Sequence, residues 1–215
     1  MNERNVFLSV GGTATEKQEA FIRAVEDRLR SEGLVPHTVG RNTFSADAPL
    51  KTVSDLLDKC SGTVVIALER SYFTSGIEKR GGPKEAALAE VKLPTPWNQI
   101  EAAMSYARGL PLMVIVEAGL KSEGLLERGY DWYVQWVKPE AEALSSNEFN
   151  GVLASWKQKM VEAPKKGVPL KTPSDLTVAE LLGGLKPVQL WSVFVALAAL
   201  IAGAFALGGK LFGGP

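Results

Sequence analysis

The sequence predicts an α/β fold in which a doubly wound parallel sheet is followed by a single transmembrane helix. Residues 63–68 (TVVIAL) and 111–116 (PLMVIV) are apolar apart from Thr63, which is typical of central strands covered on both faces of a parallel sheet. Helical patterns alternate with the strand patterns, as right-handed crossovers require. Residues 187–209 carry no charge, and a helix of that length can cross a bilayer.

The first half of the chain contains three predicted strands, over 5–10, 34–39 and 63–68. The helix after the first strand begins near Thr15, because Thr15 and Gln18 have the capping-box spacing. The next helix begins near Pro49, and its buried stripe is Val53, Leu56 and Leu57. The stripe of the first helix follows the 3.6-residue period and consists of Phe21, Ile22, Val25 and Leu29.

A charged, glycine-rich segment, 69–93, separates the third strand from the next helix. That helix covers 96–109, and the apolar periodicity predicts that a stripe at i, i+3, i+4 and i+7 faces the sheet. This predicted stripe consists of Ile100, Ala103, Met104 and Ala107. After the strand over 111–116, a last strand over 130–137 and a last helix over 147–161 complete the predicted domain.

The predicted organisation is a domain over 1–162, a linker with a short helix over 163–186, a transmembrane helix over 187–209 and a short tail over 210–215. Four lysines lie in the predicted linker before the span and one follows the span, so the positive-inside rule predicts a single-pass protein of the inner membrane with a cytoplasmic domain. These are Lys165, Lys166, Lys171 and Lys186 before the span, and Lys210 after it. Small residues four apart in the span favour homo-oligomers, although alanine is also common in bacterial membrane helices.

Composition excludes several functional classes. The chain has 24 basic and 24 acidic residues, so no basic field attracts nucleic acid. A single cysteine, Cys60, cannot form an internal disulfide. A single histidine, His37, excludes a multi-histidine metal site. From the charge balance we therefore expect no nucleic-acid partner, and from the histidine count no bound metal.

Ligands of open α/β sheets bind beyond the carboxyl ends of the strands, and this rule selects the first candidate residues. After the first strand, the Gly11-Gly12 turn exposes backbone N–H groups that a phosphate can approach, but it also fits a plain strand-to-helix turn. The other candidates are a serine at the end of that strand and three charged residues that follow strands. The three charged residues are also compatible with solvated surface positions. These candidates are Ser9, Arg41, Asp47 and Arg70.

The helix over 96–109 carries the most specific candidate. Trp97, Asn98 and Glu101 are expected on the shoulder of the helix that turns toward the strand ends. A carboxylate beside an indole and an amide suits a ribosyl centre, where it can stabilise or attack an oxocarbenium ion. The alternative is that Glu101 is an ordinary solvated residue of the helix.

Three stretches resemble the group of TIR (Toll/interleukin-1 receptor) domains and nucleoside 2-deoxyribosyltransferase-like proteins: VFLSVGG, CSGTVVIALER and WNQIEAAMSYARGLPLMVIV. The resemblance implies a Rossmann- or flavodoxin-like, TIR-like fold. It also implies that Glu101 is the catalytic carboxylate, that Trp97 walls the base, and that NAD or a nucleotide is a substrate rather than a cofactor. Bacterial members commonly cleave N-glycosidic bonds, and several act in anti-phage defence. The usual serine-cysteine pairing before the glutamate is replaced here by residues 96–99 (PWNQ).

The sequence leaves three functions open. The first is a membrane-anchored hydrolase that cleaves the N-glycosidic bond of NAD or a nucleoside. The second is a sensor that binds a nucleotide messenger and whose membrane helices oligomerise to perturb the bilayer. The third is a membrane-docking scaffold with a degenerate pocket.

Overall fold

A computed structural model describes residues 4–129 and 131–162 of this chain. Its centre is a five-stranded sheet whose neighbouring strands are all parallel. The strands of this sheet are β1, Arg4–Val10; β2, Leu34–His37; β3, Thr63–Ala67; β6, Leu112–Glu117; and β7, Tyr133–Val137. They stand in the order β2-β1-β3-β6-β7.

Four helices cover the two faces of this sheet. They are α1, Glu16–Ser31; α2, Pro49–Leu57; α3, Pro96–Ala107; and α4, Asn147–Glu162. The apolar side chains of α1 and α4 pack with one set of alternate strand residues, including Leu8 and Ile66. Those of α2 and α3 pack with the other set, including Phe7 and Val65. The predicted α/β fold with a parallel sheet between helices is therefore confirmed.

The strand order changes direction between β1 and β3. From β1 the chain moves outward to β2, and it then returns to place β3 on the opposite side of β1. The α3 helix lies against both β1 and β3. Such a switch opens a crevice at the carboxyl ends of the two strands, which is where ligands of this architecture bind.

The charged segment between β3 and α3 is not an irregular loop. It forms an antiparallel hairpin of β4, Ser71–Glu78, and β5, Ala86–Leu93. Periodicity did not predict this hairpin, because its strands are mostly exposed. The turn signal Gly81-Gly82 lies inside a seven-residue connection, residues 79–85 (KRGGPKE), rather than in a two-residue hairpin loop. The two strands form a sheet of their own.

The predicted linker and transmembrane helix, residues 163–209, and the predicted tail lie outside the described residues. Within the part of the chain that the structure describes, no helix combines the length and the apolar character that a membrane crossing requires.

Candidate functional site

The face of α3 that packs on the sheet is polar, which the apolar periodicity did not predict. Its buried residues follow the i, i+3, i+4, i+7 spacing and are Asn98, Glu101, Ala102 and Ser105. The predicted stripe was wrong: Ile100 is 40% exposed, Ala103 and Ala107 are also exposed, and Met104 is half-buried. The sheet presents buried hydroxyl and carbonyl groups at this point, and polar side chains on the helix satisfy them.

One buried hydroxyl ladder joins α3 to β3. Thr63 Oγ1 donates to Ser105 Oγ over 2.9 Å, and Ser105 Oγ donates to the backbone carbonyl of Glu101 over 2.8 Å. Thr63 and Ser105 are fully buried. The ladder therefore fixes the middle of α3, and with it Glu101, against the centre of the sheet.

Glu101 is a buried carboxylic acid. The residue is only 8% exposed, and no basic side chain among the described residues lies within ion-pair distance of it. Burial disfavours the charged form and raises the pKa of Glu101 to about 7, while a hydrogen bond with the Ser9 side chain lowers that pKa in part. Both protonation states of Glu101 are therefore populated near neutral pH.

Asn98, one turn before Glu101, ties α3 to the carboxyl ends of β1 and β3. Its Nδ2 donates to Ser9 Oγ over 3.1 Å, and it lies 3.3 Å from the carbonyl oxygens of Ser9 and Ile66. The other end of the amide, Oδ1, is buried without a hydrogen-bond partner. An unpaired buried acceptor is unfavourable by about 1–3 kcal/mol, and it can be satisfied by a donor from a ligand.

The Gly11-Gly12 turn stands beside the start of α3. A Cβ added to Gly11 would lie 2.7 Å from Thr95 Cγ2, so β1 and α3 approach here as closely as a glycine allows. A Cβ on Gly12 would meet open space. Thr95 caps α3 by accepting a hydrogen bond from the Trp97 N–H, and Trp97 itself is 40% exposed.

The structure brings together Ser9, Asn98 and Glu101, and Gly11 touches the start of the same helix. Arg41 lies apart from them. Its guanidinium is bound by two acids of α1: Nη1 donates to Glu19 over 2.9 Å, and Nε donates to Glu26 over 2.9 Å. Arg41 is therefore already neutralised within the fold.

Asp47 is exposed and pairs with Lys51, 3.3 Å away. Arg70 is exposed as well, but it lines a polar cleft of about 340 Å³ at the carboxyl edge of the sheet. The cleft also includes the start of α1, the last residue of β6, Glu117, and the residues directly after β6 and β7, Ala118 and Lys138. Lys138 was not predicted as a site residue, although it directly follows the last strand and Arg70 was predicted because it follows a strand.

A second cavity, of about 370 Å³, lies at the opposite, amino edge of β6, between Tyr106, Pro111 and Trp132. No group of three or more histidine, cysteine, aspartate or glutamate residues within 4–129 and 131–162 is arranged to hold a metal ion. Cys60 is buried, and burial raises the pKa of its thiol to about 12. This thiol is therefore uncharged and poorly reactive at neutral pH.

Comparisons with known proteins give only a weak structural likeness. No family model matches this sequence, and no curated protein is significantly similar to it, so the resemblance to TIR domains has no support from them. Among solved structures, this chain is similar to the CMP N-glycosidase BcmB of Clostridium botulinum at 15% identity and a TM-score of 0.43. The alignment covers 71% of this chain and 99% of that one.

Proposed function

We propose that this protein hydrolyses the N-glycosidic bond of NAD or of a nucleoside or nucleotide, and that Glu101 is its catalytic carboxylate. The observation that carries the proposal is the state of Glu101: it is buried beside the β1/β3 switch point, it lacks a described cationic partner, and its pKa is about 7. Acids shifted in this way are concentrated at functional sites. A solvated surface glutamate would have neither the burial nor the shift.

The reaction balances with water as the only co-substrate. The bond between C1′ of the ribose and the ring nitrogen breaks, and the base departs with the electron pair. The base of a nucleoside or nucleotide then takes up a proton, whereas the cationic nicotinamide ring of NAD leaves as a neutral molecule. Water delivers its hydroxyl to C1′, and its proton goes to the departing base of a nucleoside or nucleotide or, with NAD, to the solvent. An ionised Glu101 would stabilise the oxocarbenium-like transition state or attack C1′ directly, as carboxylates do in sugar hydrolases.

The neighbours of Glu101 suit this role. Ser9 supplies a hydroxyl to the carboxyl group, and the free Oδ1 of Asn98 is an acceptor for a ribose hydroxyl. Trp97 is 40% exposed, and an indole ring at this position could stack on a base. Access of a ribose to Glu101 would require a local opening of the structure, because the residue is only 8% exposed.

The test is hydrolysis by the full chain of NAD and of a panel of nucleosides and nucleoside monophosphates, followed by chromatography of the released base. Glu101→Gln preserves the side-chain shape and should lower turnover at least roughly 100-fold. Asp27→Asn, which changes an exposed acid on α1, is the matched control and should leave turnover unchanged. Equal turnover by Glu101→Gln and the wild type would reject the proposal, and so would a folded wild type that cleaves none of the panel.

A specific observation favours a second candidate, a nucleotide sensor. The polar cleft at the carboxyl edge contains Arg70 and Lys138 but not Glu101, so a ligand could bind there without meeting the buried carboxyl. In a sensor, Arg70→Gln and Lys138→Gln would weaken nucleotide binding in calorimetry, whereas Glu101→Gln would not change it. Base release that depends on Glu101 would decide for the enzyme.

Anchoring of the domain by residues 187–209 is a proposal on the sequence alone. The test is extraction of membranes from cells that produce the full chain. Protein that remains in the membrane pellet after alkaline carbonate washing would support a spanning segment, and protein released by the wash would reject it.

A further inference from the structure

The β4–β5 hairpin leaves large apolar side chains in water. Tyr72, Phe73 and Ile77 are 48%, 51% and 54% exposed, and no residue of the hairpin belongs to the three hydrophobic clusters of the described core. Phe73 and Ile77 stand on the same face of β4, because side chains of a strand alternate. An exposed apolar surface of this kind marks a site of interaction with a protein or a membrane.

The hairpin is held to the domain through its base and one flank. Near the base, the Lys121 N–H donates to the Lys92 carbonyl over 2.9 Å, and Lys92 Nζ pairs with Glu69 at 2.7 Å. Near the turn, Lys121 Nζ pairs with Glu78 at 2.8 Å. An isolated two-stranded hairpin is only marginally stable in water, so these contacts orient a strand pair that the core does not support.

The turn of the hairpin is basic. Residues 79–85 include Lys79, Arg80 and Lys84, and none of these three makes an ion pair with any described residue. Glu85, the acid of the turn, is used internally, since its carboxylate accepts the Gly81 N–H over 2.6 Å. The turn therefore has a net charge of +2, and its three cations are not engaged in ion pairs with described residues.

We propose that this hairpin docks on a bilayer surface that contains anionic lipids. The three cations would contact lipid phosphates, while Phe73 and Ile77 enter the interface between headgroups and acyl chains. A second copy of the chain fits this surface less well, because two such turns brought together would repel each other. The uncharged stretch over 187–209 is an independent sequence feature that also points to lipid.

The experiment places an environment-sensitive NBD fluorophore on the hairpin of the full chain through Ile77→Cys. Labelling is selective, because the native Cys60 thiol is buried. Asp27→Cys, on the exposed surface of α1, is the matched control. Each labelled protein is mixed with vesicles of phosphatidylcholine alone and with vesicles that also contain phosphatidylglycerol.

We expect a blue shift and at least a doubling of NBD emission at position 77 with the anionic vesicles, and no change at position 27. Replacing Lys79, Arg80 and Lys84 by glutamine should raise the lipid concentration for half-maximal emission roughly 100-fold, since each cation near an anionic surface contributes about 1 kcal/mol. An unchanged emission at position 77 in the presence of anionic vesicles would overturn the proposal. A change that depends on protein concentration without lipid would overturn it in favour of a second copy.

Discussion

Two glutamates near the carboxyl end of β1, on opposite faces of the sheet, show how environment sets the chemistry of one residue type. On the α1 face, Glu19 binds Arg41, and this hydrogen-bonded partner lowers the pKa of Glu19 to about 2. On the α3 face, Glu101 has no described cationic partner, and burial raises its pKa to about 7. The first arrangement locks a charge into the fold, whereas the second keeps a carboxyl group able to change its charge near neutral pH.

The largest expected effect is the effect of Glu101 on the free energy of unfolding. Folding raises the pKa of the Glu101 carboxyl from 4.5 to about 7, so the folded state binds more protons than the unfolded state. The stability that this group contributes is therefore present below about pH 4.5 and is lost as the pH rises through 7. At alkaline pH the ionised, buried group is unfavourable by roughly 3 kcal/mol. Glu101→Gln, which is expected to lose activity, should therefore be more stable than the wild type above neutral pH.

Urea denaturation of the full chain at several pH values checks this prediction. The stability difference between Glu101→Gln and the wild type should grow between pH 4.5 and about pH 8. A difference that stays constant over this range would show that Glu101 titrates normally, and it would remove the comparison on which the catalytic assignment depends.

The Gly11–Gly12 pair offers a steric test of the α3 face alone. Gly11→Ala places a Cβ against Thr95 and must push the start of α3 away from β1, with a loss of about 1–3 kcal/mol and a loss of turnover. Gly12→Ala, where the added Cβ meets open space, is its matched control. Equal melting temperatures and equal turnover for the two variants would show that this contact does not position Glu101.

On the α1 face, the corresponding change is Arg41→Gln. It leaves the carboxylates of Glu19 and Glu26 without their shared cation, and a loss of about 1–2 kcal/mol is expected, because solvent screens this partly exposed cluster. The lowered pKa of Glu19 means that its contribution is present above pH 4.5 and is lost as the pH falls toward 2. The difference in the free energy of unfolding between Arg41→Gln and the wild type, measured by urea denaturation, should therefore shrink as the pH falls. The difference between Glu101→Gln and the wild type should instead grow as the pH rises. A loss of base release at unchanged stability would instead assign Arg41 to the substrate.

The sequence predicted the sheet and the four helices because their signals are local. The apolar run over 63–68 corresponds to β3, and the helix predicted over 147–161 corresponds to α4. The buried face of α3 was not predictable in this way, since hydrophobicity favours Ile100 and Met104 over Asn98 and Glu101. That face is set by hydroxyl and carbonyl groups of β1 and β3, and their position opposite the helix exists only in the folded chain.

The candidate site shows the same limit. Glu101, Ser9 and Asn98 were named from their positions after strands and on the helix shoulder, and the structure places them in contact. Arg41 was selected by the same rule, yet its partners Glu19 and Glu26 lie more than a dozen residues away. A long-range ion pair leaves no local pattern, so sequence reasoning could not separate a neutralised arginine from an available one.

The smallest effect is expected at Ser9, and it addresses how finely the α3 face adjusts its carboxyl group. The Ser9 hydrogen bond lowers the pKa of Glu101 and opposes the effect of burial. Ser9→Ala should therefore raise the pKa of Glu101. If the ionised form of Glu101 is the catalytically active form, the rising limb of the profile of kcat/KM against pH should move to higher pH, and the plateau should change little. Thr63→Val, which removes a buried hydroxyl of β3 that bonds Ser105 rather than Glu101, is the control for a general loss of packing. A limb that moves equally in both variants would assign the shift to packing, whereas a shift confined to Ser9→Ala would identify the hydroxyl as the group that holds Glu101 ionised at working pH.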